Sequence, residues 1–166
     1  MADSEINVEK RLWSIPRERT KNNNPHNVPL ADTAMALLQN HPRRIGRDLL
    51  FGDTMSRPFQ GWSWNSKEIN KRLAEARQVA GDDKAFAPWV LHDVRRTVAT
   101  GLADLGVQPH VIEALLNHLS GSKGGVAGVY NRATYAAEKR SALDLWAAHV
   151  AALVAGKPLN VIPMRA

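Results

Sequence analysis

The sequence has no cysteine, which excludes disulfides and thiolate metal sites and permits a reducing compartment. Long apolar runs are also missing. The most apolar late stretch, Leu145 to Ala155, is short and interrupted by His149, so no membrane span is supported. Met1-Ala2-Asp3-Ser4-Glu5 is too polar and too acidic for a secretory signal. Acid is in deficit: 16 Asp and Glu face 22 Lys and Arg, leaving a net charge of +6 that favours a polyanionic partner. The carboxylates that are present form no cluster arranged as a metal site. There is no internal repeat, low-complexity tract or interdomain linker, so residues 1–166 are expected to form one domain, large enough to bury a core without staples.

What is present predicts a mixed chain, mainly helical, that opens with a β-hairpin. Leu12-Trp13-Ser14-Ile15 and Asn27-Val28-Pro29-Leu30 are short strands around the turn-rich Thr20-Lys21-Asn22-Asn23-Asn24-Pro25. Asp32 is placed to cap a helix through Ala34, Met35, Leu37 and Leu38. A solvated loop with Arg43, Arg44 and Arg47 follows, then a short strand at Leu49-Leu50-Phe51. Gly52 to Trp64 is read as irregular, with its tryptophans packed under a loop. From Asn65 or Ser66, Ile69, Leu73, Ala76 and Ala80 form one helical stripe ending near Gly81.

The second half is more strongly helical. Val94, Val98, Leu102 and Leu105 mark a buried face that Gly106 terminates. His92 and Arg95, three apart, lie on a neighbouring face and can converge on one ligand. Pro109 suits the first turn of the next helix, with Val111, Ile112, Leu115 and Leu116 apolar and Asn117 and His118 at its end. Ser120 to Gly128 holds four glycines and reads as a mobile connection to Tyr130. A last helix from about Thr134 is expected to bury Leu143, Trp146, Val150 and Leu153 and to stop at Gly156-Lys157-Pro158, with an extended tail beyond.

Three segments carry chemistry: Leu91-His92-Asp93-Val94-Arg95-Arg96-Thr97, Leu115-Leu116-Asn117-His118 and Val129-Tyr130-Asn131-Arg132. They gather two imidazoles, a guanidinium and a phenol, each with a natural role at a phosphodiester. Arginine forks grip phosphate oxygens, histidine moves protons near neutral pH, and a tyrosine hydroxyl can attack phosphorus. Each residue taken alone also has a structural reading. His92 and His118 suit helix ends, Arg95 can pair with Asp93 or Asp104, Lys21 can be a solvated turn residue, and His26 and His110 read as structural or surface residues. Tyr135 competes with Tyr130 as nucleophile, although its place at the start of the last helix favours packing.

Taken together and in order, these segments resemble the catalytic boxes of phage-type tyrosine recombinases, especially the integrases of satellite phages and genomic islands. Trp13-Ser14-Ile15-Pro16, Arg19-Thr20-Lys21-Asn22 and His26-Asn27-Val28-Pro29-Leu30 are similar to the hairpin that carries this family's catalytic lysine. The resemblance implies an α+β, mainly helical catalytic domain that joins and exchanges DNA strands. It implies Tyr130 as nucleophile, His92 as its base, Arg95 and His118 as transition-state clamps and Lys21 as the acid for the leaving 5′-oxygen. It also implies double-stranded DNA at attachment sites as partner, a homo-tetramer on DNA, a cytoplasmic location, and neither cofactor, metal nor small-molecule substrate. The family's first catalytic arginine has no counterpart, since no arginine precedes Arg11. The expectation is therefore a fragment of a longer integrase, cut inside its catalytic domain and inactive alone, with a degenerate remnant as rival. A non-catalytic, basic, helical DNA-binding module is the alternative from another class.

Overall fold

A computed structural model describes residues 1–52, 55, 57–82, 87–118 and 133–157. The expected connection at Ser120 to Gly128, Tyr130 and the tail from residue 158 lie outside the described residues. Three antiparallel strands form one sheet in the order β1 (Ile6–Asn7), β2 (Leu12–Ile15), β3 (His26–Pro29). Five helices follow among the described residues: α1 (Asp32–Gln39), α2 (Trp62–Val79), α3 (Leu91–Asp104), α4 (Pro109–Leu115) and α5 (Ala136–Val154). This is the α+β, mainly helical architecture that the sequence pattern predicts.

The hairpin forms where turn residues separate two short runs of mixed polarity. Its register pairs Trp13 with Val28 and Ile15 with His26, and Leu30 N–H continues it by donating to the Arg11 carbonyl (2.8 Å). The strand β1, only two residues long, pairs Ile6 with Trp13. The expected strand at Leu49-Leu50-Phe51 is reduced to one antiparallel bridge between Leu49 and Ala2. Asp32 does not cap α1. Ala31 holds that position, and the Asp32 carboxylate in the first turn pairs with Arg11. The arginine-rich loop is exposed at Arg43 and Arg44, as expected, but it is also stapled: Arg47 donates to the carbonyls of Gly52 (2.7 Å), Phe51 (2.7 Å) and Arg57 (3.2 Å), and Arg43 pairs with Asp3.

Among the described residues, two apolar clusters hold the fold. One unites Leu30, Met35, Leu38 and Leu50, with Trp13 and Ile6 packed against it. The other unites Leu102, Val111, Ile112, Leu115 and Ala142, with Val98, Leu143 and Trp146 around it. Leu102 is 0% exposed, and burial of such a side chain is worth about 1.5–3 kcal/mol. Val94, expected on the same stripe, is 52% exposed because the α4 and α5 contacts reach only the later turns of α3. α5, with 19 residues, is roughly 28 Å long, against roughly 10 Å for the seven-residue α4. Its last turns outrun the core, so Val150 and Leu153 are exposed rather than buried. α2 begins at Trp62, earlier than its apolar stripe suggests, and none of its residues is buried. Trp62 and Trp64 are exposed on it rather than packed under a loop.

Cationic side chains tie α5 to the sheet. Lys139, 6% exposed, donates through Nζ to the Asn27 carbonyl (2.8 Å). Arg140 donates to the carbonyls of Lys10 (2.8 Å) and Arg11 (3.2 Å). A buried ammonium is costly without a partner, so these bonds fix how α5 sits against β2 and β3. Among the described residues, no helix is long and apolar enough to cross a membrane.

Candidate active site

The start of α3 is braced by its own sequence. The Asp93 carboxylate accepts from the Val90 N–H (2.9 Å), satisfying one of the free donors at the helix N-terminus. This places His92 on the first turn and Arg95 one turn later. Arg95 Nη2 donates to the Leu116 carbonyl at the end of α4 (2.5 Å). The bond satisfies a helix C-terminal carbonyl and docks α3 onto α4. Arg96 pairs with Asp93 instead (3.4 Å), an exposed contact of small worth.

The end of α4 presents His118. Asn117 takes the left-handed conformation (φ 50°), and the His118 N–H donates back to the Glu113 carbonyl (3.0 Å). These are the left-handed residue and the long return bond of a Schellman cap, in which asparagine is tolerated in place of glycine. Next to this cap stands the β2–β3 turn. Thr20 Oγ1 bonds the carbonyls of Arg17 (2.9 Å) and Asn24 (2.8 Å), which closes the turn around Lys21. Lys21 makes no hydrogen bond or ion pair among the described residues.

These three pieces enclose a cleft of about 1020 Å³. Lys21, His92, Arg95 and His118 all line it, together with Arg19, Asn22, His26, Arg96 and Asn117. Among the described residues, no carboxylate lines it. Its lining also includes the apolar side chains of Trp13, Ile15, Val28 and Leu115. Arg19 is aimed by Glu5, to which it donates at 2.5 Å. Burial raises the Glu5 carboxyl, but bonds from Trp13 Nε1, the Ala2 N–H and Arg19 outweigh burial and hold its pKa below the ordinary value. Arg19 thus keeps an ionised partner through the neutral range.

His26 was expected to be structural or surface, and it is half-buried at the cleft margin. Its Nε2–H donates to the Leu115 carbonyl (2.9 Å). Burial lowers its pKa, the bond to Leu115 opposes that, and the nearby charges of Lys139 and Arg95 lower it further. His110 lies away from the cleft, its ring 4.8 Å from that of Tyr135, which has φ 49° at the start of α5. Tyr130 lies outside the described residues. Arg19, Asn22, His26 and Asn117 are cleft residues that sequence reasoning did not select. The available signal was adjacency, since Asn22 follows Lys21 and Asn117 precedes His118. Among the described residues, no group of three or more His, Asp or Glu is placed to hold a metal ion.

The cleft can hold an anion, since it is lined by several cationic donors together with apolar side chains. Comparison with known proteins agrees with that chemistry. The chain is 35% identical over 153 residues to prophage integrase IntA of Escherichia coli (strain K12), covering 92% of this chain and 34% of that protein. It is 30% identical over 154 residues to prophage integrase IntZ of the same strain, covering 91% of this chain and 35% of that protein. The chain therefore spans about a third of the length of these curated relatives. No solved structure matches it significantly. Residues 1–136, which include the hairpin, both histidine boxes and Tyr130, match the phage integrase family, and the chain belongs to it.

Proposed function

We propose that this chain carries the strand-transfer site of a site-specific DNA recombinase and that Tyr130 is its nucleophile. The observation that carries this reading is the cleft itself. Lys21, His92, Arg95 and His118 come from three separate elements to one cation-lined surface with no carboxylate among its described residues. In this reading, the Tyr130 oxygen attacks the scissile phosphate, a P–O bond to tyrosine forms, and the bond to the 5′-oxygen breaks. The ester bond is conserved in the 3′-phosphotyrosyl intermediate, so attack by another strand's 5′-hydroxyl completes exchange without an external energy source.

A free tyrosine is only about 0.1% ionised at pH 7, so its proton must leave as it attacks. His92 takes that proton. Arg95 and His118 face the non-bridging oxygens, whose charge grows in the pentacoordinate transition state, as fixed donors that need no reorganisation. Lys21 gives a proton to the departing 5′-oxygen, a step worth roughly 10²–10⁴ in rate for a well-placed acid. The partner is double-stranded DNA at attachment sites, bound by a tetramer of the complete gene product in the cytoplasm.

The test is a pair of substitutions in the complete gene product, assayed on nicked DNA that traps the covalent intermediate. Tyr130→Phe removes the attacking oxygen and keeps the ring, so adducts should vanish while DNA binding survives. Tyr135→Phe should leave adduct formation nearly intact. Adducts lost only with Tyr135→Phe would reverse the assignment, and binding with no adduct in the unsubstituted protein would favour a non-catalytic DNA-binding module.

A further inference from the structure

The cleft residues that carry no charge make a connection of their own. Asn22 Nδ2 donates to both the carbonyl and the Oδ1 of Asn117 (3.0 Å each), and Asn117 Nδ2 donates back to Asn22 Oδ1 (3.2 Å). The same Asn22 Oδ1 accepts from the Asn24 N–H (3.2 Å), so this side chain braces its own turn while gripping α4. The two residues are 95 positions apart and both part-buried. Asn22 follows Lys21 and Asn117 precedes His118. The Lys21 side chain makes no hydrogen bond or ion pair among the described residues, and its turn is otherwise closed only by local bonds.

Asn117 is costly as a cap alone. At φ 50° a glycine would sit without strain. The asparagine side chain supplies two of the three bonds to Asn22, the third being to the backbone carbonyl, so the strain is retained together with a reciprocal long-range contact that glycine would reduce to one bond. We infer that Asn22 and Asn117 are positioning residues: their reciprocal amide bonds hold the Lys21 turn against the His118 cap, setting the leaving-group acid relative to the transition-state donors. This rests on the role proposed for Lys21. Neither amide touches the reacting atoms. Their effect is on geometry, and a misplacement of about 1 Å can cost on the order of 10²-fold in rate.

The step at issue breaks the bond between phosphorus and the 5′-oxygen. The electron pair remains on that oxygen, which takes a proton from the Lys21 ammonium and leaves lysine neutral. When sulfur replaces the bridging 5′-oxygen, the departing thiolate is stable near neutral pH, as thiols have pKa values near 8.5, and no acid is needed. A defect in delivery of the Lys21 proton should therefore disappear with the sulfur substrate, whereas a folding or binding defect should persist.

The experiment compares single-turnover cleavage of 5′-oxygen and 5′-bridging phosphorothiolate DNA by the complete gene product. The variants are Asn22→Ala, Asn117→Gly and Lys21→Ala. Asn117→Gly is the discriminating one, because relief of the left-handed strain offsets much of the loss of the two side-chain bonds, so the fold should survive while the reciprocal contact is lost. We expect Asn22→Ala and Asn117→Gly each to lose roughly tenfold or more on the oxygen substrate and to approach the unsubstituted rate on the sulfur substrate, as Lys21→Ala should. If Lys21→Ala is rescued by sulfur but the asparagine variants keep full oxygen rates, or lose equally on both substrates, the positioning role is wrong. If Lys21→Ala is not rescued, the acid assignment falls first and the positioning role falls with it.

Discussion

Gly101 lets α5 pack against the helix that carries His92 and Arg95, and two opposing effects meet at that position. Its φ is not positive, so an alanine there would be welcome to the helix, by about 0.8–1.0 kcal/mol. A Cβ at Gly101, however, would lie 2.4 Å from Trp146 Cζ3 and 2.9 Å from Cη2. The indole cannot withdraw easily, since it packs against the Leu102 cluster and stacks on His149 with ring centroids 5.3 Å apart. Overpacking of this kind costs about 1–3 kcal/mol, so Gly101→Ala should be destabilising by up to roughly 2 kcal/mol despite the propensity gain. Trp146→Leu removes the obstructing ring. In that background the same alanine should become stabilising, by about 0.8–1.0 kcal/mol. The assay is urea unfolding of all four proteins as a double-mutant cycle, in which the cavity cost of Trp146→Leu cancels. A coupling energy of about 1–3 kcal/mol is expected for residues in direct contact. Equal effects of Gly101→Ala in both backgrounds would show that α3 and α5 do not meet through Trp146.

Acidification should weaken the fold through His26, whose pKa is lowered mainly by burial. Its contribution is intact above the ordinary value of 6.5 and is lost as pH falls, because the unfolded chain then binds a proton the folded chain resists. Unfolding measured from pH 7.5 to pH 5.5 should show stability falling with a slope of at most about 1.4 kcal/mol per pH unit from this group. His26→Gln, which retains a donor to Leu115, should flatten that dependence, and an unchanged slope would reject the assignment. Arg95→Lys keeps the charge but loses the planar fork and the docking bond to Leu116, so adduct formation in the complete gene product should fall roughly 10²–10³-fold. Arg96→Ala, which loses an exposed pair and one charge at the cleft wall but no docking bond, should cost far less, and equal losses at the two positions would contradict their distinct roles.

The hairpin was legible because turn residues separate its strands, and α3 and α4 because their apolar spacing agrees with the stop at Gly106 and the start at Pro109. β1 was not legible, since two residues carry no period. α2 was placed late because Trp62 and Trp64 resemble loop aromatics, and its stripe promised burial that no packing partner among the described residues supplies. Asp32 looked like a cap, but its carboxylate is engaged by Arg11, a tertiary contact that local sequence does not report. For the site, Lys21, His92, Arg95 and His118 could be chosen because each stands in a recognisable box. Arg19, Asn22, His26 and Asn117 could not, because their partners Glu5, Asn117, Leu115 and Asn22 are set by the fold rather than by spacing. In the case of the two asparagines, the separation is 95 residues.

In the proposed reaction, Tyr130 becomes covalently joined to DNA at the cleft formed by Lys21, His92, Arg95 and His118. The most direct test is to trap the complete gene product on nicked attachment-site DNA, digest the adduct with protease and nuclease, and locate the modified peptide and the joined DNA end by mass spectrometry. A nucleotide joined through its 3′-phosphate to Tyr130, with a free 5′-hydroxyl on the released strand, is expected. A nucleotide on Tyr135, a 5′-phosphate linkage, or tight DNA binding with no modified tyrosine would contradict it.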